Sequence, residues 1–169
     1  MVQPNGNPSR LKIVRDFKAP KSLVFQAFST PEAFAEWWGP AGSVLTVHTF
    51  NFTKGGTLHY KLEGNGQTMW GLFKYGNIVD PDLLEFTSSF SDEAGNISTS
   101  PFPMDFPLEI FNRISLAEND GITTLTLEGH PLNATEAQLA TYYSIVPNME
   151  QGFAGTFNQL EAYLAKQQA

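Results

Sequence analysis

The chain has 169 residues, of which 41% are hydrophobic and 13% aromatic, and its formal net charge is −7. One domain typically spans ~100–200 residues, so we expect a single domain over residues 10–169 behind a flexible tail, residues 1–9. The negative charge disfavours nucleic acid as a partner, because nucleic-acid binding depends on clustered Lys and Arg. Cysteine is absent, which excludes disulfides and thiolate metal ligands.

The hydrophobic residues are not arranged for export or membrane insertion. The first nine residues are polar and lack the apolar segment of a signal peptide. No stretch approaches the ~18 consecutive apolar residues of a membrane-spanning helix. We therefore expect a cytoplasmic protein that does not insert into membranes.

The N-terminal third predicts one strand and two short helices. Weak alternation predicts a strand over Leu11–Phe17. Pro20 can begin a helix, because its missing N–H would have no partner there. Pro31 begins a second short helix, which reaches Trp38 and is ended by the Gly39-Pro40 pair.

Six further strands are predicted where the apolar period changes to two. The first of them places one set of alternating residues on a common face: Val44, Thr46, His48, Phe50 and Phe52. The last two form a hairpin around Asn119-Asp120-Gly121, since Asp-Gly is a strong hairpin signal. The segment Ser91–Pro107 is long and irregular, which is typical of functional or disordered loops. As a lid, it would place Phe102 and Met104 over a pocket.

A long helix is predicted at the C-terminus. Asn133 followed by Glu136 resembles a capping box and predicts the start of this helix. Pro147 removes one backbone donor, so we expect a kink or break there. A helix packed across an antiparallel sheet is an α+β arrangement. We expect the sheet to curve around the helix and leave a gap between the two.

A series of short motifs along the chain supports the same architecture. They are Ala19–Phe28, Trp37-Trp38-Gly39-Pro40, Gly55-Gly56, Gly71-Leu72-Phe73, Leu84-Glu85-Phe86-Thr87, Gly121–Leu127 and Gln151-Gly152-Phe153. In this order they resemble the START-like (SRPBCC) superfamily, in the branch of AHSA-type domains named for activators of heat-shock-protein ATPase. The resemblance covers roughly residues 11–165. It implies a helix-grip fold with a cavity beneath the last helix, in which family members bind hydrophobic compounds and some act on them.

The aromatic residues are the main candidates for a binding site. Pockets for small molecules are lined mainly by apolar and aromatic side chains. The predicted ligand-binding residues are Trp37, Trp38, His48, Phe50, Phe52, Tyr60, Phe73, Phe86, Phe90, Phe111, Tyr142, Val146, Phe153 and Phe157. We therefore predict a protein that binds a small hydrophobic ligand, with no catalytic residue assigned and no cofactor or metal expected.

Alternatives to simple binding depend on a few polar side chains. His48 could act as a general base in the pocket, although a structural role on a strand is favoured. Glu109 and Arg113 share one strand face, and we favour a solvated charge pair there over a polar anchor in the pocket. An enzyme of the cyclase, dehydratase or hydrolase type is one alternative function. A chaperone ATPase co-regulator is another, by resemblance alone, and a homodimer is predicted as an option.

Overall fold

The protein is described here by a computed structural model, which covers residues 11–169. The predicted tail, residues 1–9, lies outside the described residues. The described residues form seven strands and three helices in the following order: β1 (Leu11–Phe17), α1 (Lys21–Ser29), α2 (Pro31–Trp37), β2 (Val44–Phe50), β3 (Thr57–Gly64), β4 (Gln67–Val79), β5 (Leu83–Phe90), β6 (Glu109–Asn119), β7 (Ile122–Leu132) and α3 (Glu136–Gln167). The predicted order of elements and the helix-grip architecture are confirmed.

The strands form one curved antiparallel sheet in the order β1-β7-β6-β5-β4-β3-β2. Alternation along β3 separates its two faces: Leu58, Tyr60 and Leu62 are buried, whereas Lys61 is half-buried on the opposite side. We call the face that carries Tyr60 the inner face, because it contributes to the core beneath the helices, and the opposite face the outer face. No helix among residues 11–169 is long and apolar enough to cross a membrane.

The long helix α3 is tied to the first strand by polar contacts. Arg15 on β1 donates to the carbonyl oxygen of Ala154 at 3.2 Å and to Asn158 Oδ1 at 2.7 Å. It also forms an ion pair with Glu161 at 2.6 Å. Beneath these contacts Phe157 packs edge-on against Phe17, with ring centroids 6.0 Å apart. The C-terminal half of α3 therefore packs on the core at β1, and Tyr142 and Val146 of its N-terminal half are buried as well.

The start of α3 differs from the prediction. Thr135, not Asn133, is the N-cap: its Oγ1 accepts from the amide of Gln138 at 3.1 Å, and Gln138 Oε1 accepts from the amide of Thr135 at 3.0 Å. Asn133 instead adopts a left-handed conformation, with φ 50°, which Asn tolerates better than most residues. At Pro147, where the sequence predicts a kink or break, α3 continues without a break.

Candidate functional site

The adjacent tryptophans at the end of α2 point in different directions. Trp37 is 1% exposed, and its Nε1 donates to the carbonyl oxygen of Ala27 at 3.0 Å. Trp38 follows in extended backbone and stacks on Phe34, with centroids 5.1 Å apart. It also meets Phe73 edge-on at 5.5 Å. One tryptophan therefore stabilises the core, while the other forms a wall of an internal space.

This wall is held in place from α3. Gln159 Nε2 donates to the carbonyl oxygen of Trp37 at 3.2 Å and to that of Gly39 at 2.6 Å. Thr156 Oγ1 donates to the same Gly39 oxygen at 3.3 Å. These carbonyls belong to the end of α2, where the helix itself provides no partners. The bonds fix the backbone on both sides of Trp38.

The space is a partly open cavity of about 190 Å³. It lies between the inner face of β3 to β6, the end of α2, the N-terminal half of α3 and the last residues of the long loop. Aromatic side chains dominate its wall, and those named by the sequence analysis are Trp38, Tyr60, Phe73, Phe90, Tyr142 and Phe153. The fold thus brings together rings from five separate elements.

Further residues line the cavity that were not predicted from the sequence. They are Leu11, Met69, Gly71, Ser88, Ser89, Phe106, Pro107, Ile110, Asn112 and Met149. Phe106 lies in the irregular loop, where no period indicates which way a side chain points; its ring is 5.8 Å from Phe90 and 6.2 Å from Tyr142. Asn112 lies at every second position with the buried residues Ile110 and Ile114 on β6. This pattern could have identified Asn112 as an inward-facing residue.

The remaining predicted site residues lie elsewhere. Trp37, Val146, Phe86 and Phe157 are buried in the core, and Phe86 stacks beneath Phe73 at 4.3 Å. Phe50 and Phe52 pack against Tyr75, at 6.4 and 4.9 Å, so they contribute to the core beside the cavity. Phe111 lies against His130 at 5.3 Å on the outer face. These residues support the cavity wall or lie away from it.

His48 requires a correction, because it does not share a face with Phe50. The register of β2 shifts between Val47 and Thr49, so the strand contains a bulge at His48. A bulge adds one residue and reverses the side on which the following side chains point. His48 is exposed and lies 4.8 Å from the ring of Trp70 and 5.8 Å from that of His59. His48 is thus on the outer face and does not line the cavity.

Arg113 also points away from the cavity. Its Nε donates to Glu85 Oε2 on the neighbouring strand at 2.7 Å, and Asn77 Nδ2 donates to Glu85 Oε1 at 2.8 Å. The Arg113 side chain is 48% exposed, whereas that of Glu85 is 9% exposed. Glu109 and Arg113 lie an even number of positions apart on β6, so their side chains lie on the same face of the sheet. The predicted pair of Glu109 with Arg113 is not formed as such: Arg113 is paired across strands with Glu85 instead.

Burial raises the pKa values of two tyrosines that line the cavity. Tyr60 is 6% exposed, and its burial raises its pKa to about 12, an effect that hydrogen bonding by the Trp38 side chain partly offsets. Burial also raises the pKa of Tyr142 to about 12. Both hydroxyls therefore remain protonated at neutral pH and can donate hydrogen bonds into an apolar space. Within residues 11–169, no group of three or more His, Cys, Asp or Glu side chains is arranged to hold a metal ion.

Comparison with known families agrees with the fold. The model of the family Activator of Hsp90 ATPase homolog 1-like protein matches residues 18–165. The chain belongs to this family. A search of curated proteins found no significant match.

Solved structures of several bacterial proteins resemble this AHSA1-type domain over nearly its whole length. Protein Ms6760 from Mycobacterium smegmatis is 26% identical, with a TM-score of 0.77 over 93% of this chain and 91% of that chain. A protein from Arthrobacter aurescens is 26% identical, with a TM-score of 0.77 over 94% and 87% of the two chains. The AHSA1 protein from Silicibacter pomeroyi is 22% identical, with a TM-score of 0.69 over 94% and 99%, and shows the shared fold.

In this AHSA1-type domain, an outer groove adjoins the cavity. The groove has a volume of about 620 Å³ and lies between residues 40–43, the β3–β4 hairpin and residues 101–103 of the long loop. Met69 lines both spaces, so its side chain is shared between groove and cavity. Phe102 lines the groove and is 45% exposed. Met104, the other residue named for a lid, lines neither space.

Proposed function

We propose that this protein binds a small, mainly apolar molecule in the cavity between the inner face of the sheet and α3. The observation that carries the proposal is a space of about 190 Å³ surrounded by aromatic side chains in a tightly packed domain. Protein interiors are packed about as densely as organic crystals, so apolar side chains that leave such a space open expose surface that a ligand can cover. Family membership is compatible with such a role.

The volume limits the size of the ligand. A cavity of ~150 Å³ lined by apolar side chains stays dry and binds benzene. The present cavity is slightly larger, yet smaller than the ~300–1,000 Å³ of pockets for drug-sized molecules. A single-ring compound therefore fits the space as it stands. We propose that such a ligand enters from the outer groove past Met69, with Phe102 at the entrance.

The alternative functions have less support. The enzyme alternative depended on His48, or on Glu109 with Arg113, facing the cavity, and His48 and Arg113 lie on the outer face. Chaperone regulation rests on the family name and not on a particular residue of this chain. The predicted homodimer and cytoplasmic location stay predictions. Binding without an assigned reaction is thus the function that the cavity supports best.

A small fluorinated probe tests the proposal directly. We expect 4-fluorotoluene to bind the purified protein in a saturable manner, followed by ¹⁹F NMR, and to raise the melting temperature as its concentration increases. Met149 on α3 lines the cavity, so Met149→Trp should fill part of it and weaken binding. Gln151→Trp places the same side chain at an exposed position of the same helix and should leave binding unchanged.

The controls separate specific uptake from surface adsorption. Equal weakening by both tryptophan variants would place the probe outside the cavity. An absence of saturable binding to the wild-type protein, together with native mass spectra that show only the unliganded mass, would overturn the proposed function.

A further inference from the structure

The hydroxyl group of Tyr142 is an unusual feature of the cavity wall. Tyr142 is 0% exposed, and its Oη has no hydrogen-bond partner among residues 11–169. The backbone of Leu11 lies near enough to lower the pKa of Tyr142, without meeting the geometry of a hydrogen bond. Buried tyrosine hydroxyls usually have a partner, because an unpaired buried donor is costly. Tyr142 also lines the cavity, so an occupant of the cavity is the candidate partner for this hydroxyl.

Asn112 supplies an acceptor on the same wall. It is 5% exposed, and its Nδ2 donates to Ser88 Oγ at 3.0 Å and to the carbonyl oxygen of Ile110 at 3.1 Å. A carbonyl oxygen only accepts hydrogen bonds, so the amide nitrogen must be the atom that faces Ile110. Both hydrogens of Nδ2 are therefore used inside the protein. Its Oδ1 can only accept, so it is the atom of this amide that can receive a hydrogen bond from a ligand.

Gly129 on β7 leaves the space between these two oxygens free of a side chain. A Cβ at this position would lie 3.2 Å from Asn112 Oδ1 and 3.6 Å from Tyr142 Oη. The two oxygens therefore flank the same point without being hydrogen-bonded to each other. A ligand hydroxyl within reach of both oxygens can accept from Tyr142 and donate to Asn112 at the same time.

The rest of the lining determines the charge of the ligand. No Asp, Glu, Lys or Arg among residues 11–169 lines the cavity. An ionised ligand would lose its hydration without gaining a countercharge, which is strongly unfavourable. The ligand is therefore neutral, and the volume limits it to about one ring.

We propose that the cavity selects a neutral single-ring compound with a hydroxyl group, which accepts a hydrogen bond from Tyr142 and donates one to Asn112. The inference rests on the proposed function, because it assigns chemistry to the ligand of the same cavity. Tyr142 and Asn112 would thus act as specificity-determining residues at the polar end of an otherwise apolar site.

Two probes of nearly equal shape test this selection. The probes 4-fluorophenol and 4-fluorotoluene differ by a hydroxyl in place of a methyl group, and ¹⁹F NMR titration gives both dissociation constants. Tyr142→Phe should weaken 4-fluorophenol binding about tenfold and leave 4-fluorotoluene binding nearly unchanged. Tyr143→Phe makes the same chemical change at an exposed neighbour and should alter neither value.

A measurement without ligand provides an independent test. Tyr142→Phe removes a hydroxyl that lacks a partner, so its melting temperature should equal or exceed that of the wild type. Gly129→Ala should selectively weaken 4-fluorophenol binding, because the new Cβ occupies the space beside both oxygens.

The outcomes distinguish the two proposals. If 4-fluorotoluene binds and Tyr142→Phe weakens neither probe or both equally, the polar anchor is refuted and cavity binding stands. If neither probe binds the wild-type protein, the proposed function itself is refuted. A marked loss of stability in ligand-free Tyr142→Phe would also count against the anchor, because it would reveal a partner for the hydroxyl inside the protein.

Discussion

The ring of Tyr60 on β3 lies over Gly71, its cross-strand partner on β4, in the space that a side chain at position 71 would occupy. A Cβ on Gly71 would collide with the phenol ring. The absence of a side chain at Gly71 therefore allows Tyr60 to lie flat along the inner face. The ring and Gly71 both contribute to the cavity wall.

We predict that Gly71→Ala destabilises the protein by about 1–3 kcal/mol, because overpacking forces the Tyr60 ring out of its place. The displaced ring should also reduce the affinity for 4-fluorotoluene. Urea unfolding and ¹⁹F NMR measure the two effects. Gly152→Ala is the matched control, since its Cβ would meet nothing within 4 Å on α3 and should stabilise the helix by about 0.5–1 kcal/mol. Equal stability of the Gly71 variant and the wild type would contradict the packing argument.

Gln159 provides a second test, since it holds the backbone around Trp38. Gln159→Ala removes the donor to the carbonyl oxygen of Trp37 and one of two donors to that of Gly39. We expect a loss of about 1–2 kcal/mol in the free energy of unfolding, and weaker binding of 4-fluorotoluene because Trp38 is less constrained. Gln151→Ala, at an exposed position of the same helix, should change neither quantity. Indistinguishable results for the two variants would show that these bonds do not position the wall.

Arg113 should matter for stability and not for binding. Arg113→Ala leaves the nearly buried carboxylate of Glu85 with Asn77 as its remaining side-chain donor. We expect a loss of about 1–2 kcal/mol in urea unfolding, with the dissociation constant of 4-fluorotoluene unchanged. Lys166→Ala breaks an exposed pair with Glu36 and should cost less than about 0.5 kcal/mol. Weaker binding by the Arg113 variant at unchanged stability would contradict its assignment to the outer face.

Buried tyrosines should make the protein sensitive to alkali. The pKa of Tyr60 is raised to about 12 from an ordinary value of 10.0. Between these values the unfolded chain loses the proton that the folded protein retains, so the free energy of unfolding falls as pH rises. A shift of this size corresponds to roughly 2–3 kcal/mol, present in full below pH ~10 and lost by pH ~12. Urea unfolding across this range measures the decline.

Phenylalanine variants assign that decline to particular residues. Tyr60→Phe should make it shallower, and so should Tyr142→Phe, whose tyrosine pKa is also raised to about 12. Tyr143→Phe is the control, since Tyr143 is 39% exposed. An identical decline in Tyr60→Phe and Tyr143→Phe would exclude Tyr60 as its source.

Local signals predicted the elements well and their details less well. Period-two alternation and the Asp-Gly turn identify strands because both depend on nearest neighbours in the chain. The sequence contains two adjacent capping patterns, Asn133 with Glu136 and Thr135 with Gln138. The choice between them depends on how the chain leaves β7, and Asn133 is used there in a left-handed conformation. Alternation also fails at His48, because a bulge reverses the parity on which the prediction relied.

The sequence by itself determined the order of strands and helices, the family, and the presence of many rings on inward faces. These properties follow from short-range periodicity and from motifs that are contiguous in the chain. The tertiary structure alone decided which rings fill the core and which surround the cavity, as the neighbours Trp37 and Trp38 illustrate. It also placed Tyr142, Asn112 and Gly129 together, because residues on three different elements meet only when the sheet curves and α3 packs across it.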